Sequence, residues 1–165
     1  MITSRYLFRP MNEEGAREIA AWRYEVPYDF YDMTNDPEGL EKLLGPPERR
    51  RGYYAVLSGG ELVGFFCYGL GGQLRGFDYP GDGCIDIGLG LRPDLTGKGL
   101  GLQFIRAGLQ FGRSRFFLAA FWLSVATFNE RAIRVYERAG FRRARVFGRS
   151  TNGGEHPFLL MTREA

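Results

Sequence analysis

The 165-residue chain predicts a mixed α/β domain: a mostly antiparallel sheet of six to seven strands with helices on both faces. Three observations carry that prediction. Short runs of alternating apolar residues recur between glycine-rich turns, several segments switch to the three- and four-residue spacing of helices, and one unbroken apolar run, 121–125, has the character of a strand covered on both sides. The length suits one domain over 1–165 and is short for two.

Taken in order, residues 6–9 predict a first strand. Asn12 then caps a helix with Glu13 and Glu14 in its first turn, where the unpaired N–H groups favour negative charge, and with Ala16, Ile19 and Ala20 as its buried stripe. Residues 23–35 mix Tyr24, Tyr28, Phe30 and Tyr31 with Glu25, Asp29 and Asp32 around Pro27, and read as a loop. Asp36 caps a second short helix with Pro37 at its first position and Leu40, Leu43 and Leu44 as its apolar face; Gly45, Pro46 and Pro47 stop it. Strands at 53–57 and 61–70 are joined tightly through Ser58, Gly59 and Gly60. Residues 69–83, rich in glycine, predict a mobile connection.

The next strand, 84–91, sets Ile85, Ile87, Leu89 and Leu91 on one face and Asp86, Gly88 and Gly90 on the other. Helical period returns over 99–113, where Gln103, Arg106, Gln110 and Arg113 form a polar stripe. After the strand at 121–125 comes an amphipathic helix at 129–139, stopped by Gly140. Strands at 143–150 and 158–162, linked through Asn152, Gly153 and Gly154, end the chain, and His156 beside Pro157 reads as a loop residue.

Lys and Arg number 22 against 19 Asp and Glu, a formal net charge of +3 that is too mild to specify a partner. Their distribution says more. Acidic residues concentrate before Leu44, while Arg131, Arg134, Arg138, Arg142, Arg143, Arg145 and Arg149 crowd the last third, either as a dock for a polyanion or as the solvated faces of one helix and one strand. No nucleic-acid motif with interleaved aromatics accompanies them, so nucleic acid is not an expected partner. The apolar runs fall short of the ~20 residues of a membrane helix and the N-terminus has no signal-like segment, which points to the cytoplasm and away from membranes. Cys67 and Cys84 lie in apolar strands without ligand spacing, and a lone histidine makes no metal site. No Gly-x-Ser-x-Gly elbow supports a serine hydrolase.

The most informative stretch is Thr96, Gly97, Lys98, Gly99, Leu100 and Gly101, directly after a strand and opening a helix. Alternate glycines let main-chain amides approach a ligand, and a helix N-terminus offers unpaired N–H groups with partial positive charge, a seat for phosphate to which Lys98 adds a point charge. A P-loop would need glycine at Arg92 and Ser or Thr at Gly99; a dinucleotide fingerprint would need a small residue at Leu102. Neither fits.

From these residues the run 85–141 resembles the acyl-CoA-binding half of the GNAT superfamily of N-acetyltransferases. The family's loop reads Arg or Gln, any, any, Gly, any, then Gly or Ala; Gly99 and Gly101 match, and Thr96 departs from it, which implies retained but weaker coenzyme A binding. Leu123, Ser124 and Val125, then Asn129, Ala132, Tyr136, Gly140 and Phe141, are similar to the strand and helix beside the family's pantetheine arm. Spacing places Asn129 and Tyr136 on one helical face.

The resemblance implies acetyl-CoA as acyl donor, without a metal. It assigns donor contacts to Thr96 through Gly101, to Asn129, and to the backbone of Leu89, Gly90 and Leu91, which would bind the pantetheine and polarise the thioester carbonyl. It further implies Tyr136 as acid toward the departing thiolate and Asp86 as base, acting directly or through water. Burial would raise the pKa of Asp86. The plainer readings are a core aromatic for Tyr136 and a backbone-bonded structural aspartate for Asp86. The expected acceptor is a primary amine, of a small molecule or peptide, taken by a monomer or homodimer. Tyr24, Tyr28 and Tyr31 with Asp29 and Asp32 are expected to wall its pocket and attract a cation. The alternative is a catalytically silent acyl-CoA-binding module of the same fold.

Overall fold

The computed structural model describes residues 5–69, 84–116 and 120–164; the connection expected over 69–83 lies beyond these from residue 70 onward. Seven strands form one sheet: β1 (Leu7–Pro10), β2 (Tyr53–Ser58), β3 (Glu61–Tyr68), β4 (Cys84–Leu91), β5 (Ala120–Ala126), β6 (Arg142–Thr151) and β7 (Gly154–Glu164). Their spatial order is β1-β2-β3-β4-β5-β7-β6, and among the described residues β4 with β5 is the one parallel pair.

The helices start where short polar side chains supply an acceptor. The Asn12 carboxamide accepts from Gly15 N at 2.8 Å to begin α1 (Glu13–Ala20), and the Asp36 carboxylate accepts from Gly39 N at 3.1 Å to begin α2 (Pro37–Leu44). Asn129 does the same for α4 (Glu130–Arg138), accepting from Ala132 N at 3.2 Å. The fourth helix, α3 (Gly101–Arg115), follows the glycine turn. No helix among the described residues is long and apolar enough to cross a membrane.

Strand alternation sorts the apolar residues into two layers. Tyr54, Val56, Phe66 and Phe121 face α3 and α4, where Phe104, Ile105, Leu109 and Ile133 meet them; Tyr53, Ala55 and Cys67 face the other way, against Ala16, Ile19 and Leu43 of α1 and α2. The expected fold class is therefore the observed one, a sheet between two helical layers.

The largest departure lies at the end of the chain. β7 begins at Gly154 and not at residue 158, so His156 belongs to a strand, opposite Arg149, with its ring edge-on to Phe30 at 5.1 Å. Pro157 hid this extension, because proline removes a ladder donor. Its carbonyl accepts from Thr127 N at 3.1 Å, on the β5 side, so its missing N–H faces away from β6 and that ladder loses nothing.

Close approach between α3 and the sheet depends on Gly108, which is buried. A Cβ there would stand within the Phe66 ring, and its carbonyl accepts the Tyr68 hydroxyl at 2.7 Å. Alanine in a helix gains up to ~1 kcal/mol over glycine, but overpacking a rigid core costs ~1–3 kcal/mol. The overlap is with an aromatic ring that has no room to retreat, so Gly108→Ala is expected to lower unfolding stability by about 1 kcal/mol net, read by urea denaturation.

Candidate active site

The parallel pair β4 and β5 stays in register only from Cys84 with Ala120 to Asp86 with Trp122. Beyond that rung both strands continue, to Leu91 and to Ala126, but each pairs only with its outer neighbour. They splay into a V.

Backbone direction follows from the outer ladders. Arg92 N donates to Val63 O at 2.8 Å, toward β3; because direction alternates along a strand, Leu91, Leu89 and Ile87 turn their N–H and C=O groups into the V. On the other arm Ala126 N donates into the V, to the Tyr31 hydroxyl at 3.2 Å, and Ser124 shares its direction. Gly90, expected to offer its backbone to a ligand, instead points to β3, and the Leu91 carbonyl already accepts the Tyr24 hydroxyl at 2.8 Å. Leu89 thus turns both main-chain groups toward the open V, and Leu91 its N–H. Tyr24 and Tyr31, from one irregular segment, each bond to one tip of the V.

The V opens into a cleft of about 580 Å³, which extends from the glycine turn to the loop before α2. Thr96, Gly97, Gly99 and Gly101 line it, whereas Lys98 is exposed and Leu100 lies off the wall. Gly97 and Gly99 have φ of +72° and +76°, left-handed backbone that delays the helix to Gly101, two residues later than its periodicity suggests. The Thr96 hydroxyl is turned to its own loop, donating to Pro93 O at 2.7 Å. Arg131, from the first turn of α4, stands beside the turn: one guanidinium nitrogen is 3.3 Å from where a Gly97 Cβ would be. The same guanidinium lies over the Tyr28 ring at 3.9 Å. Sequence placed Arg131 only among a crowd of arginines; the contact with Gly97 joins segments that no periodicity relates.

Tyr136 lines the cleft from α4, and burial, then the nearby Tyr31, hold its hydroxyl above the ordinary phenol range. Tyr31 is shifted the same way, mainly by burial, against the Asn129 and Ala126 donors. Asn129 also faces the cleft, but both ends of its amide are engaged, the oxygen by the α4 cap and Nδ2 by the Tyr31 hydroxyl at 3.2 Å. Ser124 brings a buried hydroxyl without a hydrogen-bond partner among the described residues.

Asp86 is 2% exposed, at the last rung before the splay and behind the cleft wall, on the strand face it shares with Gly88 and Gly90. Cys67, opposite Gly88, has its thiol pushed up to about 12 by burial, which leaves it no nucleophile. At the other end of the cleft Tyr24, Tyr28 and Tyr31 take the expected places, but the expected acids do not. Asp32 is buried, accepting from Tyr24 N at 2.9 Å, and Asp29 is off the wall. Asp36 and Glu38 line the cleft instead, with Trp22, Tyr53 and Lys42.

Comparison with known proteins follows this geometry. The acetyltransferase (GNAT) family matches over residues 14–141. The N-alpha-acetyltransferase RimI of Mycobacterium tuberculosis is 29% identical over 107 residues, 65% of this chain; the chain spans 61% of that relative's length. Among solved structures, a spermidine N-acetyltransferase SpeG chimera from Vibrio cholerae and hSSAT superposes with a TM-score of 0.75 at 19% identity, covering 98% of this chain and 96% of that one. The aminoglycoside acetyltransferase AAC(6')-Ib, solved with coenzyme A and kanamycin, gives 0.69 at 23% identity, covering 96% and 94%.

Proposed function

Because the chain belongs to the acetyltransferase (GNAT) family, we propose that it transfers an acetyl group from acetyl-CoA to a primary amine by direct attack within a ternary complex. The observation that carries this reading is the V between β4 and β5, which opens onto the glycine turn. A row of inward-facing main-chain groups suits the amide-bearing pantetheine arm as an added strand would be suited. The turn supports the diphosphate end: nothing stands within 4 Å of a Cβ position at Gly99, and the α3 N-terminus lies behind it.

In this reading Gly97, Gly99 and Gly101 offer N–H groups to the diphosphate, with Arg131 adding the charge that Thr96 lacks. Leu89 N–H polarises the thioester carbonyl. Tyr136 gives its proton to the sulfur as the C–S bond breaks, and a phenol raised by burial arrives protonated at neutral pH. Asp86, at the last rung before the strands part, receives the amine's proton through water. Two of the proteins that share this fold are named for spermidine and for aminoglycosides. Glu38 and Asp36 beside Trp22 and Tyr28 support a cationic acceptor here.

The test is release of free thiol from acetyl-CoA with a panel of polyamines, aminoglycosides, amino acids and peptides. At least one amine is expected to give saturable turnover; binding of acetyl-CoA with no thiol released by any amine would replace the enzyme with a silent binding module. Glu38→Gln is expected to raise KM for a cationic acceptor roughly threefold, the scale of one exposed charge pair, with kcat unchanged. An equal KM for cationic and neutral acceptors in the parent chain would remove the acidic wall from acceptor selection.

A further inference from the structure

A second depression, of about 430 Å³, lies at the far ends of α3 and α4 from the glycine turn. Arg106, Gln110 and Arg113 line it from α3, Arg138 from the end of α4, and Arg163 from β7. Three members of the polar stripe on α3 thus face a groove and not open solvent.

Among the described residues no carboxylate lines this groove, and none of its four arginines belongs to an ion pair. Glu137, next in sequence to Arg138, is turned to Arg143 at 3.3 Å. Arg163 donates to the Glu164 carbonyl at 3.2 Å, and Gly140 lets its side chain lie against the end of α4, where a Cβ would meet Nε at 2.8 Å. Burial, then the neighbouring Arg113, hold the Arg163 guanidinium below its ordinary value.

Helix ends attract cations, which accounts for Arg113 and Arg138 in the last turns. It does not account for Arg106, two turns earlier, or for Arg163 on a strand. Nor do the last carbonyls of α4 need these arginines, since the N–H groups of Ala139, Gly140 and Phe141 take them.

We propose that this groove is a binding site for a small anion with clustered phosphates, distinct from the seat of the donor's diphosphate. Guanidinium forks match phosphate oxygens two at a time, and four converging without an acid provide for more than one phosphate. Gln110 adds a neutral donor between Arg106 and Arg113.

Inorganic tripolyphosphate titrated by calorimetry into the full chain, with coenzyme A saturating the glycine turn and chloride matching ionic strength, tests this. Saturable binding is expected in the parent chain, weakened by roughly tenfold or more in Arg106→Gln/Arg113→Gln. Both positions are exposed on a helix where glutamine is a good former, so the fold is retained. Arg9→Gln/Arg51→Gln, equal in charge but outside the groove, should bind as the parent does. Absence of saturable binding, equal affinity in the groove variant, or an equal loss in the control variant each overturns the proposal. If coenzyme A itself fails to bind, the same series on the unliganded chain decides the groove independently of the donor site.

Discussion

Tyr136→Phe will lower kcat for the best acceptor amine by roughly 100-fold, the scale of one general acid, while leaving KM for acetyl-CoA nearly unchanged. The reaction expels a thiolate, and the proton must reach sulfur as the bond breaks. Of the two tyrosines at the tips of the V, Tyr24 is committed to the Leu91 carbonyl, and Tyr31 accepts from Ala126 N and Asn129 Nδ2. Tyr136 lines the same cleft from α4 with no partner hydrogen bond among the described residues, and Phe removes only the hydroxyl and keeps the ring, so packing against Phe141 is kept.

The pH profile separates an acid from a packing residue. Only the protonated phenol donates, and burial raises its pKa; activity should therefore hold past the ordinary tyrosine value of ~10 before it falls. The phenylalanine variant should lack that alkaline fall. Asp86→Asn should slow the same turnover at neutral pH, and an unaltered kcat would return Asp86 to a purely structural role. A Phe variant with the parent's rate and profile would do the same for Tyr136.

Much of the fold was legible because local chemistry marks it. Asn12, Asp36 and Asn129 each cap a helix through a bond to the N–H three residues on, and the glycine turn announced where β4 hands over to α3. What sequence hid was the result of chain reversals. Asp32 follows a single 3₁₀ turn that swings its carboxylate back onto Tyr24 N, so the segment's acids do not share the tyrosines' face. Asp36, read only as a cap, and Glu38, which no sequence pattern singled out, reach the cleft because α2 packs beside it. The Tyr31 bond to Ala126 spans 95 residues, and the Arg131 contact with Gly97 crosses from one helix start to another. Such pairs follow from topology, which periodicity does not encode. Residue pattern alone did not mark the opening of the V, since β4 and β5 read as ordinary strand on both sides of Asp86 and Trp122; only the family resemblance implied that their ends part.

Gly97→Ala/Gly99→Ala should weaken coenzyme A binding by roughly 100-fold, measured calorimetrically, with little change in melting temperature. Both residues hold left-handed φ, where an L side chain costs ~1–2 kcal/mol per residue, or ~2–4 kcal/mol for the pair. At Gly99 the added methyl meets nothing within 4 Å, so its cost is conformational alone; at Gly97 it meets a guanidinium nitrogen of Arg131 at 3.3 Å, which can move. The exposed turn can relieve this strain by rearranging, which spares the fold. Rearrangement turns the amides away, so the loss appears in ligand affinity and hardly in stability. Arg131→Gln alone should give a smaller loss, about tenfold, because it removes a charge and leaves the amides in place. Were the double variant to bind coenzyme A as tightly as the parent, the phosphates would rest elsewhere, and the catalytic reading of the V would lose its donor.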